Sequence, residues 1–382
     1  MSENLRREIF SRARKLVVKI GTGVLTAERG GLDRDRVRRL ADQIAKLRSL
    51  GYSTVLVSSG AIGAGMAELR MTERPTLLPE LQAAAAVGQS KLMGVYDECF
   101  KRHGLSVAQI LLTRDDFEDR ARYLNARNTI WELLRLGAVP IINENDTISV
   151  DEITFSDNDI LSAFVTNLLR ADALIMLSVV DGVFRASSPG GRQEVIDVIE
   201  HVDDEVKGLS DGNVSSRGKG GMDSKLEAAS MTTHAGEVAV VANGKTDDIL
   251  LKIVRGEKVG TLFLPVTAKM ASRKRWIGLA SKPKGSIHVD AGAAEALMKK
   301  GRSLLASGIR AVTGEFEKGD VVSVLDGQDV EIARGLVNYS SKEVDRIKGL
   351  KTSTLAKVLG AKPYDEVIHR DNLALLEHEQ KD

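Results

Sequence analysis

Leu16-Val17-Val18-Lys19-Ile20-Gly21-Thr22-Gly23 is the stretch from which the rest of the chain is read. Its apolar, β-branched run lacks polar/apolar alternation, as expected of a strand covered on both faces of a sheet. The glycines that follow let the backbone turn tightly and approach an anion where a helix begins. Lys19 lies inside the apolar run, and an unpaired ammonium buried there is costly. It therefore calls for an anionic partner, unless it sits at an edge and snorkels to water; the residues alone leave both readings open.

The same signature recurs along the chain. Strands are expected at 16–20, 54–58, 107–112, 139–142, 173–178, 238–241 and 261–264. Amphipathic segments separate them, for instance 35–50, where Val37, Leu40, Ile44 and Leu47 form one stripe. Such alternation predicts an α/β fold, a three-layer sandwich with a mostly parallel central sheet. The texture changes near 270, where a basic connector and the turn-rich Lys282-Pro283-Lys284-Gly285 appear. Beyond lie short strands at 286–289, 321–325 and 332–338 and a helix over 291–300, giving a small β-rich unit. The expected division is 1–270 for the α/β domain, 271–284 for a linker, 285–370 for the small domain and 371–382 for a tail.

Composition narrows the function classes. At 382 residues the chain is long enough for two domains, and its net charge of +1 offers no large basic face to nucleic acid or membrane. Cys99 is the only cysteine, which excludes an intramolecular disulfide framework and a multi-cysteine zinc site, and fits a reducing compartment. Its spacing after Val95-Tyr96 reads as a packed helix position. With no signal peptide and no membrane span in view, a cytoplasmic location is expected.

Four polar or glycine-rich turns follow predicted strands: 19–23, 58–65, Asn143-Glu144-Asn145-Asp146, and Ser178-Val179-Val180-Asp181-Gly182. All would open at the carboxyl edge of a parallel sheet, where ligands of open α/β folds bind. A fifth segment, 218–225, precedes an Ala-rich helix. Asp157-Asn158-Asp159 is richer in acceptors than a helix cap requires. Neither G-x-x-x-x-G-K-[ST] nor a strand followed by G-x-G-x-x-G occurs, which argues against a P-loop or a Rossmann cofactor site.

In combination these segments resemble the amino acid kinase family. The motifs are Val17–Thr22, Ser59–Gly65, Ala86-Val87-Gly88-Gln89-Ser90, Leu124-Asn125-Ala126-Arg127-Asn128-Thr129, Val139–Asp146, Asp157-Asn158-Asp159, and Gly220-Gly221-Met222 with Lys225. Within the family the pattern is that of members acting on glutamate, and 285–370 resembles a PUA domain. The resemblance implies ATP-dependent phosphorylation of the glutamate γ-carboxylate, the first step of proline biosynthesis, with Mg2+ accompanying ATP. It assigns Lys19, Lys225 and Asp159 to catalysis, and Ser59, Asp146 and Asn158 to glutamate, Asp146 facing the α-ammonium. Lys19, Gly21, Ser178, Val179, Lys219, Gly220, Gly221, Met222, Asp223, Ser224 and Lys225 would line the nucleotide site, with no protein ligand to the metal. It also implies a homo-oligomer and proline as a feedback inhibitor.

Two positions depart from the family pattern, both on the nucleotide side. Val179 stands where an aspartate is usual, and 219–224 reads Lys-Gly-Gly-Met-Asp-Ser where Thr-Gly-Gly-Met-Ser-Thr is common. Two alternatives differ in class. One is a kinase of the same fold for another small carboxylate or carbamate. The other is RNA binding by the small domain, but residues 282–370 hold 15 Lys and Arg against 12 Asp and Glu, with three aromatic rings, a poor basis for a single-strand binder.

Overall fold

A computed structural model describes residues 2–27, 31–149, 158–185, 194–209, 221–266, 272–360 and 364–376. The chain forms two units, one of residues 1–116 and 120–269 and one of 117–119 and 270–382. In chain order the first contains β1 (Lys15–Ile20), β2 (Ser53–Ser58), β3 (Val107–Leu112), β4 (Val139–Glu144), β5 (Ala173–Ser178), β6 (Val198–Ile199), β7 (Val238–Asn243) and β8 (Thr261–Phe263). They pair as one sheet in the order β3-β4-β2-β1-β5-β7-β8-β6, parallel throughout except between β7 and β8.

β1 sits between β2 and β5, with Lys19 opposite Val57 and Met176. The chain thus leaves β1 toward β2 on one side and returns to β5 on the other. At such a switch point the turns after neighbouring strands diverge and leave a crevice at the carboxyl edge. Leu16, Val17, Val18 and Ile20 are fully buried, as the unalternating run requires.

Helices cover both faces. The Arg34–Ser49 helix is capped by Asp33, whose carboxylate accepts from the Arg36 backbone N–H at 2.9 Å, and it buries Val37, Leu40, Ala41, Ile44 and Leu47. The Asn158–Leu169 helix is buried from Asp159 to its end, so its apolar composition is that of a core helix. The Ala61–Glu68 and Leu78–Lys101 helices cross with backbones in contact: a Cβ on Gly65 would lie 1.7 Å from the Ala84 carbonyl oxygen, and one on Gly88 1.8 Å from that of Ala61. These glycines of two sequence motifs therefore serve helix packing and leave only Gly60, left-handed at φ 98°, to shape the turn after β2.

The second unit has its own core and sheet, β10-β9-β11-β12-β13, formed by β9 (Gly285–Val289), β10 (Ile309–Gly314), β11 (Val321–Leu325), β12 (Glu331–Leu336) and β13 (Leu373–Leu375). The sequence reading does not contain β6, β10 or β13. β6 is two residues long, β10 buries only Ile309, and β13 lies in the expected tail. Within 271–284 the chain is not plain linker: Ser272–Arg275 is α-helical and Trp276–Ala280 is a π-helical turn. The Ala291–Met298 helix begins at Asp290, whose carboxylate caps the Ala293 N–H.

Candidate active site

Lys19 reaches the crevice from the end of β1, and its anion is Asp159 at the start of the Asn158–Leu169 helix. Lys19 Nζ stands 2.5 Å from Asp159 Oδ1, and Lys225 Nζ donates to Asp159 Oδ2 at 2.9 Å. All three side chains are at least nine-tenths buried. Lys225 comes from the Met222–His234 helix and also donates to the Gly221 carbonyl at 3.2 Å; Ser224 Oγ donates to Asp159 Oδ2 at 3.2 Å. Burial by itself would raise the Asp159 carboxyl, but the two ammoniums outweigh it and hold the group well below the usual carboxylate range. One carboxylate thus fixes two cations supplied by distant parts of the chain.

A second cluster adjoins it through the neighbouring residue. Asn158 Nδ2 donates to the Ser58 carbonyl and to Ser59 Oγ, each at 3.0 Å, and to Asn143 Oδ1 at 2.9 Å. Ser59 follows β2 and Asn143 lies in β4, whose strand runs on through Glu144 where a turn is expected from 143. Because Ser59 Oγ accepts from Asn158, its own O–H is left to donate. Asn158 Oδ1 is buried and has no hydrogen-bond partner among the described residues, so an acceptor is also on offer.

Asp146 is carried by the turn three residues beyond Asn143, and no hydrogen bond among the described residues joins it to Ser59 or Asn158. Its carboxyl is pushed up to about 6 by burial, with the Arg74 guanidinium pulling the other way. A buried acid of this kind is suited to receive a cation.

On the β5 side, the Gly21 N–H donates to the Leu177 carbonyl at 3.0 Å and the Gly244 N–H to the Ser178 carbonyl at 2.8 Å. Val179 is half exposed, and its Cγ1 lies 2.9 Å from where a Cβ on Gly23 would stand, so the valine fills space that Gly23 leaves. Gly221, Met222 and Asp223 open the Met222–His234 helix, Asp223 facing solvent. Asp157, Lys219 and Gly220 lie outside the described residues. Next to these turns is a cavity of 240 Å³ lined by Asp181, Val195, Asn243, Lys258 and Gly260. Its wall is held by Arg6, whose buried guanidinium donates to the carbonyls of Asp197 at 2.7 Å, Val259 at 3.1 Å and Gly260 at 3.0 Å. No pattern around Arg6 signals this role, since its partners lie about 190 and 250 residues away in sequence.

Among the described residues no group of three His, Cys, Asp or Glu is placed to hold a metal, and no helix is long and apolar enough to cross a membrane. Cys99 is buried on its helix, and burial raises its thiol.

Known proteins resemble this chain over nearly its whole length. The model of the amino acid kinase family matches residues 14–243 and that of the PUA domain matches 285–359. A glutamate 5-kinase of Caldanaerobacter subterraneus subsp. tengcongensis is 49% identical over 368 residues, 96% of this chain and 99% of that protein. Proteins of the same name from Geobacter sp. strain M21 and Moorella thermoacetica are 47% and 46% identical, covering 97% and 98% of this chain and all of theirs.

Proposed function

The chain belongs to the amino acid kinase family, and from that premise we propose that it transfers the γ-phosphoryl group of ATP to the γ-carboxylate of L-glutamate, giving L-glutamyl 5-phosphate and ADP. Its glutamate 5-kinase relatives span nearly its full length, and their name makes this the phosphorylation that commits glutamate to proline biosynthesis. The observation that supports the chemistry best is the Lys19–Asp159–Lys225 triad at the switch point.

Both reactants are anions, so the protein must offset their repulsion, align them and stabilise charge on the transferring oxygens. A glutamate γ-carboxylate oxygen attacks the γ-phosphorus, a C–O–P bond forms, and the bond to the β,γ-bridging oxygen breaks with ADP as leaving group. The γ-carboxylate is ionised at neutral pH, so no general base is required. Lys19 and Lys225 neutralise charge from two sides, and Asp159 offsets their charge in that buried setting and fixes where they point.

Glutamate is held by Ser59, Asn158 and Asp146: the Ser59 hydroxyl donates to a carboxylate, while Asn158 Oδ1 and the Asp146 carboxylate receive the α-ammonium. Lys19, Gly21, Ser178, Val179 and residues 219–225 seat the nucleotide, with its base toward the cavity beside Asp181 and Asn243. Mg2+ fits here as a companion of the ATP phosphates, since Asp159 is engaged by both lysines and no acidic cluster adjoins it among the described residues. When bound, the ion would draw charge from the β- and γ-phosphates. Proline carries the same α-carboxylate and an ammonium, so it competes for the Asp146–Asn158 seat as a feedback inhibitor. The protein acts as a cytoplasmic homo-oligomer.

The test is ADP release with each acceptor in turn. Turnover with L-glutamate and little with N-acetylglutamate, carbamate or UMP is expected; preference for one of the others refutes the assignment.

A further inference from the structure

The motif Ala86-Val87-Gly88-Gln89-Ser90 has one member that neither the chemistry nor the helix crossing explains. Gly88 lies at the crossing, but Gln89 turns toward the glutamate seat. Its Oε1 accepts from Asn143 Nδ2 at 2.9 Å, and its Nε2 donates to Gln109 Oε1 at 3.2 Å on β3. The amides of Asn158, Asn143, Gln89 and Gln109 therefore form a chain in which every link runs in one direction: each carbonyl oxygen accepts from the neighbour nearer one end.

The direction has a consequence at the seat. With its Nδ2 satisfied by Gln89, Asn143 presents Oδ1 inward, where it accepts from Asn158 Nδ2 and from the Glu144 backbone N–H, both at 2.9 Å. Asn158 must then turn Nδ2 toward Asn143, Ser58 and Ser59, which leaves its Oδ1 as a buried acceptor with no partner among the described residues. An amide is nearly symmetric in shape, so only its hydrogen bonds decide which end faces the ligand. If Asn143 presented nitrogen instead, it would oppose the Glu144 N–H and the Asn158 amide, donor against donor.

We propose that Gln89 is a positioning residue for glutamate: its side-chain oxygen sets the polarity of the Asn143–Asn158 amide pair, so that the pair offers an acceptor to the substrate ammonium. This rests on the assignment of Asn158 to the glutamate seat. Removing the Gln89 acceptor leaves Asn143 Nδ2 without that partner, and since the rotated amide would meet the Glu144 N–H donor to donor, neither orientation is fully satisfied and the pair loses its fixed polarity. The ammonium then meets a seat that must be reordered before it binds. The reacting phosphoryl group and the nucleotide are held by other residues and are not affected.

Steady-state kinetics of the full-length protein test this with Gln89→Met, similar in length but without the amide, and Gln89→Glu, which keeps an oxygen acceptor. Gln89→Met is expected to raise KM for glutamate about tenfold, the scale of one unsatisfied buried donor, with kcat and KM for ATP each within about threefold. Gln89→Glu should return KM for glutamate to within about threefold of the parent. Asn158→Ala, measured alongside, separates the two levels of the argument. If Asn158→Ala raises KM for glutamate while Gln89→Met matches the parent, the positioning role is wrong and the seat stands. If Asn158→Ala leaves that KM unchanged, the seat and the positioning role fall together. A Gln89→Met variant whose kcat, both KM values and melting temperature all worsen, with no recovery in Gln89→Glu, reduces Gln89 to a packing residue and overturns the proposal.

Discussion

Replacing Asp159 with asparagine removes a charge that two buried ammoniums share. At the distances of 2.5 and 2.9 Å, Coulomb's law with an effective dielectric of about 20 gives each contact about 6 kcal/mol before desolvation is subtracted. Breaking a buried pair costs a net of about 3–5 kcal/mol. Without the carboxylate the two ammoniums also repel each other and lose the anchor that fixes where they point, so Asp159→Asn should lower kcat by about 10²–10³, the usual loss for one transition-state donor. In the parent Asp159 is held ionised well below neutral pH, so the gap between parent and variant should be the same from pH 6 to 9. Initial rates of ADP release from pH 6 to 9 at saturating substrates decide it, with circular dichroism confirming that the variant is folded. A folded Asp159→Asn variant with near-parental kcat at pH 8 refutes the claim that this carboxylate anchors the two ammoniums.

Lys19→Ala and Lys225→Ala should each lower kcat by about 10²–10³, the usual loss for one transition-state donor, with KM for glutamate little changed; a near-normal kcat in either removes that lysine from the mechanism. Asp146, with its carboxyl near 6, receives the substrate ammonium only when ionised. KM for glutamate should therefore climb about tenfold per pH unit below that value, and Asp146→Asn should raise KM and flatten the dependence; an unchanged acid limb in the variant refutes the pairing. Gly88→Ala places a methyl 1.8 Å from the Ala61 carbonyl, an overpacking that costs about 1–3 kcal/mol or more. Its melting temperature should fall by several degrees, and a parental value would mean that the two helices separate readily.

The strands were legible where burial on both faces erased alternation, as in β1, β2 and β5, because a continuous β-branched run has few other uses. β10 escaped notice since most of its residues are not buried, leaving no run of apolar positions over 309–314. At the site, Lys19 announced itself as a cation in an apolar strand, and its need for an anion was met by Asp159. The pairing itself rested on family resemblance, because 140 residues separate the two and sequence spacing carries no distance at that range. The glycines of 58–65 misled in part, since Gly65 belongs to the helix crossing with Gly88. A turn that cradles an anion and a helix pair in backbone contact both need a missing Cβ, and only coordinates separate the two uses. The amide chain from Asn158 to Gln109 was beyond reach for a related reason: Asn and Gln look alike in any polar loop until their partners are known.

The central claim is that a carboxylate oxygen of glutamate becomes the bridging oxygen of an acyl phosphate. It is tested most directly with glutamate labelled with 18O in the γ-carboxyl group, incubated with ATP, Mg2+ and hydroxylamine. Hydroxylamine attacks the acyl carbon, forms the γ-hydroxamate and expels phosphate together with the bridging oxygen. The account predicts one 18O atom in each phosphate released, in step with hydroxamate formation. Unlabelled phosphate released without hydroxamate would contradict it.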